Sequence, residues 1–178
     1  MRMRFARLLG AVCAIWTLGA SAASASEVWL SHYTSLMNDS CKATASYSGD
    51  SVLDCRGASN NRLRITDQQS TMRLELLDAQ GAAHALHTPN TRSVGDIAEW
   101  YGRLRNGKLK PEMLIVRMLE QSGVANSPPV SNLLVVRLDR GNTCPVARVS
   151  PASNQNQIAR EMARTLHDAP CLKEIASN

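Results

Sequence analysis

Four cysteines, two close histidines and one cluster of basic residues are the side chains here whose types and spacing could do chemistry. Cys41, Cys55, Cys144 and Cys171 remain once Cys13, which lies in an apolar run near the N-terminus, is set aside. An even number of cysteines in an exported chain points to disulfides, and four thiols allow three connectivities. The expected pairs are Cys41–Cys55 and Cys144–Cys171, because each pair flanks a compact local unit. The chain has no Cys-x-x-Cys, so a thioredoxin-like redox role has no support. His84 and His87 would point to opposite faces of a strand, or share a metal from a tight loop. Zinc needs three or four ligands, and no partner set accompanies this pair, so no metal is expected. No cofactor is expected either, since no Gly-rich phosphate loop opens a helix. There is no Gly-x-Ser-x-Gly and no outstanding pair of carboxylates. A dispersed catalytic site, in which His84 or His167 meets Ser, Asp or Glu, stays open because triads are defined by geometry and not by sequence spacing.

The basic cluster is Arg103, Arg105, Lys108 and Lys110, on either side of Asn106-Gly107. Asn-Gly between apolar runs is the strongest short hairpin signal. A two-residue turn there pairs Arg105 with Lys108, Leu104 with Leu109, Arg103 with Lys110 and Trp100 with Met113. All four cations then project from one face. Like charges directly opposite each other are destabilising, by roughly 0.2–1 kcal/mol per pair. An acidic partner, either a protein or an envelope surface, would relieve that cost. The competing reading is a solvated edge whose lysines prevent strand addition by another chain.

The first 25 residues read as an export signal. Arg2, Arg4 and Arg7 precede an apolar stretch from Leu8 to Ala20, and Ala23-Ser24-Ala25 is a small-residue cleavage site. The apolar stretch is too short for a transmembrane helix, and no later run approaches the ~20 residues one needs. The expected organisation is a signal peptide over 1–25 and a single α+β domain over 26–178, periplasmic or secreted. The formal charge of +5 is misleading, because three of the 20 basic residues leave with the signal. That leaves 17 against 15 acids, and nucleic acid has little claim as a partner.

The elements that would position these residues are short. Glu27 to Met37 is read as a short helix with Trp29, Tyr33 and Leu36 on one apolar face and the two aromatics as core anchors, although a strand start at Val28 is also compatible. Ser48-Gly49-Asp50 punctuates a hairpin that sets Cys41 near Cys55. Arg62 to Thr66 and Thr71 to Leu76 alternate polar with apolar residues, as half-buried strands do. Ala83 to His87 is a possible further strand. Met113 to Met118 returns from the Asn-Gly turn, and Leu133 to Leu138 is a strand rich in Leu and Val. Cys144 to Val149 follows as an edge strand, because Pro145 lacks a donor N–H. Ile158, Met162 and Leu166 recur at helical spacing beside Ala159 and Ala163. Asn154 is the expected cap of that helix and Pro170 its stop. The fold class is α+β: an antiparallel sheet of six or seven short strands, one C-terminal helix packed on one face, the other face wet, and two disulfides.

The order Cys41…Cys55-Arg56-Gly57, Glu99-Trp100, Pro111…Ile115-Val116-Arg117, Leu134-Val135-Val136, Thr143-Cys144-Pro145-Val146-Ala147, Asn154…Ala159-Arg160 and a late Cys171 resembles a group of small exported, periplasmic proteins of alphaproteobacteria. The resemblance spans most of the chain after the signal and agrees with the strand–Cys–helix–Cys ending. It implies no activity, cofactor or substrate. The leading functional expectation is therefore a non-catalytic periplasmic binding or inhibitor-type module. The alternatives are an envelope-assembly or stress component and a small hydrolase with a dispersed site.

Overall fold

The computed structural model describes residues 28–44, 50–68, 71–86, 90–123, 126–139 and 141–172. The expected signal segment, Ser48 and Gly49 of the expected hairpin turn, and His87 lie outside the described residues. Among the described residues ten antiparallel strands form two five-stranded sheets, with one α-helix. This corrects the expectation of a single sheet of six or seven strands, while the one helix, its place on one sheet face and both disulfides are as expected.

The first sheet contains β1 (Trp29–Ser35), β7 (Thr91–Arg105), β8 (Lys108–Glu120), β9 (Val130–Arg137) and β10 (Cys144–Val149), in the order β1-β7-β8-β9-β10. The second contains β2 (Cys41–Thr44), β3 (Ser51–Arg56), β4 (Arg62–Gln68), β5 (Thr71–Leu77) and β6 (Ala83–Ala85), in sequence order. The two kinds of strand follow from their sequences. β4 and β5 alternate, and they bury Leu63, Ile65, Leu74 and Leu76 on one face only. β8 and β9 carry continuous apolar runs, Met113–Val116 and Leu133–Val136, that are buried on both faces. Ala98, Trp100, Leu114, Val116, Leu134 and Val136 pack against the second sheet. Met113, Ile115, Leu133 and Val135 pack on the opposite side against Ala159 and Ala163 of α1 (Gln155–Thr165). The first sheet is thus the middle layer of three, and neither of its faces is wet over its centre.

The N-terminal segment is a strand, not the helix expected over Glu27 to Met37. It pairs with β7 from Trp29↔Arg103 to Ser35↔Ile97. The helical face proposed for it fails because Tyr33 is 52% exposed and is no core anchor. Trp29 is held in a different way, stacked on Tyr101 at 5.1 Å. The Thr34 hydroxyl accepts a 2.8 Å hydrogen bond from the Trp100 indole.

The Asn-Gly turn forms as expected, with Asn106 and Gly107 at φ 52° and 72°, the paired positive values of a tight hairpin. The register holds for Arg105↔Lys108, Leu104↔Leu109 and Arg103↔Lys110, then slips by one between Tyr101 and Gly102. Trp100 therefore faces Leu114, and Met113 faces Tyr101. The slip sits at Pro111, which cannot donate to the ladder, opposite Gly102. A Cβ on Gly102 would lie 2.1 Å from the Lys110 carbonyl oxygen, so only glycine allows this approach.

The helix stops at Thr165, before Pro170, and Asn154 makes no side-chain capping bond. Buried Gln155 anchors its start instead, donating to the carbonyls of Ser131 and Val149 at 2.9 Å each. Beyond the helix the Cys144–Cys171 bridge closes a 27-residue separation. The Leu172 amide donates to the Pro145 carbonyl at 2.8 Å, and Arg137 donates to the Ala169 carbonyl at 2.5 Å. The segment after the helix, through Leu172, is thereby tied along edge strand β10. Cys41 and Cys55 sit directly opposite each other in the β2–β3 pair.

Cross-linking works chiefly on the unfolded chain and grows with loop length. Replacing Cys144 and Cys171 by Ser should therefore lower unfolding stability by ~3–4 kcal/mol. Chemical denaturation of the oxidised wild type against the double variant measures it.

Candidate functional site

Two surfaces bring polar chemistry together. The first is the tip of the β7–β8 hairpin. β9 reaches back only to Met113↔Arg137, and β1 begins at Trp29↔Arg103. Residues 104–109 therefore stand clear of both neighbouring strands. Arg103, Arg105, Lys108 and Lys110 share one face through the pairs Arg103↔Lys110 and Arg105↔Lys108. They are not equivalent. Arg103 grips Glu112 with both ends of its fork, Nε to Oε1 at 3.0 Å and Nη2 to Oε2 at 2.7 Å, and lies 5.4 Å from the ring centre of Trp29. It is a structural clamp at the base of the tip. Arg105, Lys108 and Lys110 are exposed.

The second surface is a cleft of about 690 Å³ between β7 and the first turns of α1. Its origin is a break in β7. Val94 pairs with Met118 and Ala98 with Val116, so Gly95, Asp96 and Ile97 together oppose Arg117 alone. Bulges of this kind occur beside functional sites, where they re-aim side chains. A Cβ on Gly95 would lie 2.7 Å from the Arg117 Cβ, so the glycine makes room for this arginine. The bulged backbone is held by the Leu36 amide, which donates to the Asp96 carbonyl at 2.8 Å.

One wall of the cleft is a charge network. Buried Glu99 receives Arg160 Nε at 2.7 Å and Nη2 at 3.2 Å, and the Ser31 hydroxyl at 2.5 Å. Arg160 Nη2 also donates to the Tyr33 hydroxyl at 2.9 Å. The bond to Glu99 raises the Arg160 guanidinium above its ordinary value, so Arg160 keeps its charge. On the floor, Arg117 Nη1 donates to Ser131 Oγ at 2.6 Å and Gln155 Oε1 at 2.9 Å, and Nη2 reaches Asn156 Oδ1 at 3.4 Å. All three acceptors are neutral.

The histidines lie elsewhere. His84 meets Asp78 at 3.2 Å at the β5–β6 turn, and this bond holds the Asp78 carboxyl below its usual range. His167 meets Asp168 at 3.0 Å after the helix. Among the described residues no hydrogen bond joins either of them to a serine, and neither lines the cleft. No group of three His, Cys, Asp or Glu able to hold a metal occurs among the described residues. None of their helices is long and apolar enough to cross a membrane.

Sequence reasoning found the tip and missed the cleft. Its members Tyr33, Glu99, Arg117, Asn156 and Arg160 come from four elements, and the one local signal is Gly95, a glycine inside β7 where a bulge forms. Compared with known protein families, curated proteins and solved structures, the chain matches none.

Glu99→Gln keeps the shape of the network and removes its charge. Arg160 is partly exposed, with 40% of its side chain accessible, so the loss should be moderate, about 1–2 kcal/mol of unfolding stability by urea denaturation.

Proposed function

We propose that this chain is a non-catalytic binding or inhibitor-type module of the periplasm or extracellular space, and that it contacts an acidic partner protein through the β7–β8 tip. The observation that carries this reading is the placement of two like-charged cross-strand pairs on one face of an overhanging hairpin. Each such pair costs stability in the free protein. The cost is local, because Arg103 is compensated by Glu112 at the base while Lys108 and Lys110 face solvent. The chain after the signal is nearly balanced in charge, so attraction to an acidic surface must come from a local patch of this kind. A pair of disulfides fits an oxidising compartment, the setting that the N-terminal export signal implies.

Lys108→Glu with Lys110→Glu reverses the β8 half of the patch without touching the core. An immobilised protein should recover a partner from periplasmic extract at low salt, and the double variant should lose it. The same pair of changes made at Arg62 and Arg73, exposed on the other sheet, should leave recovery intact. Equal recovery by wild type and tip variant, or recovery that ignores salt, would overturn the assignment of the tip.

A further inference from the structure

Four of the described arginines are held by close carboxylates. Arg64 meets Asp54, Arg103 meets Glu112, Arg148 meets Glu120 and Arg160 meets Glu99, each at 2.6–2.9 Å. Arg137 is committed to the carbonyls of Ala169 and Asn142. Arg117 is half-buried and makes no ion pair with a carboxylate among the described residues; its partners are a hydroxyl and two amide oxygens. These contacts fix the guanidinium in place and leave its charge unneutralised. The fork lies in the cleft, beside the apolar side chains of Val94, Ile97, Leu119 and Leu133. Ile97 is 56% exposed on the bulge, an apolar group with nothing over it.

We propose that this cleft is a binding site for a carboxylate with an aliphatic body, the carboxylate on Arg117 and the chain against Ile97, Leu119 and Leu133. Charge complementarity selects the head group, because a fixed guanidinium with neutral partners gains most from an incoming anion. The rim selects its valence. Asp96 is exposed on the bulge and makes no ion pair with Arg117, so it repels a doubly charged phosphate more than a single carboxylate. The Glu99–Arg160 pair is internally neutral and adds no bias. A volume of about 690 Å³ is in the range of small-molecule sites and leaves room for an aliphatic chain beside Arg117. The site is separate from the hairpin tip and does not depend on it.

The test is calorimetric and NMR titration of the protein, both disulfides formed, with hexanoate, octanoate and decanoate. Octanoate should shift the amides of Val94, Ile97, Arg117 and Asn156. Affinity should rise by up to about fourfold for each methylene that becomes buried. Octylamine, with the same chain and opposite charge, should bind at least tenfold more weakly. Arg117→Gln should abolish the preference for octanoate over octylamine, and Arg117→Lys should retain it. Ile97→Glu, a change at an exposed position that leaves the core alone, should weaken octanoate binding even if Arg117→Gln disturbs the fold. Equal binding of octanoate and octylamine, shifts confined to other surfaces, or no binding at millimolar octanoate would each overturn the proposal.

Discussion

Everything in this protein depends on the apolar burial of β8 and β9 on both of their faces. Met113–Val116 and Leu133–Val136 are eight consecutive-run residues with neither face suited to water. A strand of that kind is stable only inside a layer covered from both sides. The second sheet covers the face that carries Trp100, Leu114 and Val136, and α1 covers the face that carries Met113 and Val135. The Cys144–Cys171 bridge and the Arg137 clasp keep the helical cover from leaving, since they tie the segment after the helix to edge strand β10.

Both candidate surfaces are consequences of that middle layer. β7 and β8 run past their neighbours β1 and β9, so their turn extends beyond both strands and exposes the basic tip. The helix covers only part of its face, and beside its first turns the β7 bulge opens the cleft next to Arg117. The polar groups at this boundary are satisfied by long-range partners. Gln155 joins the helix start to β9 and β10, and Arg160 joins the helix to Glu99 on β7. The cleft is thus preorganised by the same contacts that seat the helix.

Much of this was legible in the sequence, for local reasons. Both disulfide pairings followed from cysteines that bracket short units, the Asn-Gly turn from its backbone requirement, and the late helix from its spacing. The misreadings share a cause. Trp29, Tyr33 and Leu36 have helical spacing, yet β7 needs an edge partner and a tertiary ladder overrides that pattern. The expectation of one sheet with a wet face failed because the continuous apolar runs of β8 and β9 require a cover on each side. The Trp100–Met113 pairing failed at a bulge, which depends on how closely Gly102 and Lys110 approach. Arg117 and Arg160 could not be seen as one site, because 43 residues of sequence separate them and only the fold brings them together.

The central claim is that the middle sheet is dry on both faces, and two adjacent residues test it. Val135 and Val136 are each 0% exposed and point to opposite sides, one to the helix and one to the second sheet. Replacing either by Thr keeps its shape and buries a hydroxyl. Equilibrium urea denaturation of Val135→Thr and Val136→Thr should show both variants destabilised, each by about 1–3 kcal/mol. If one of the two is neutral, that face meets water and the three-layer account is wrong.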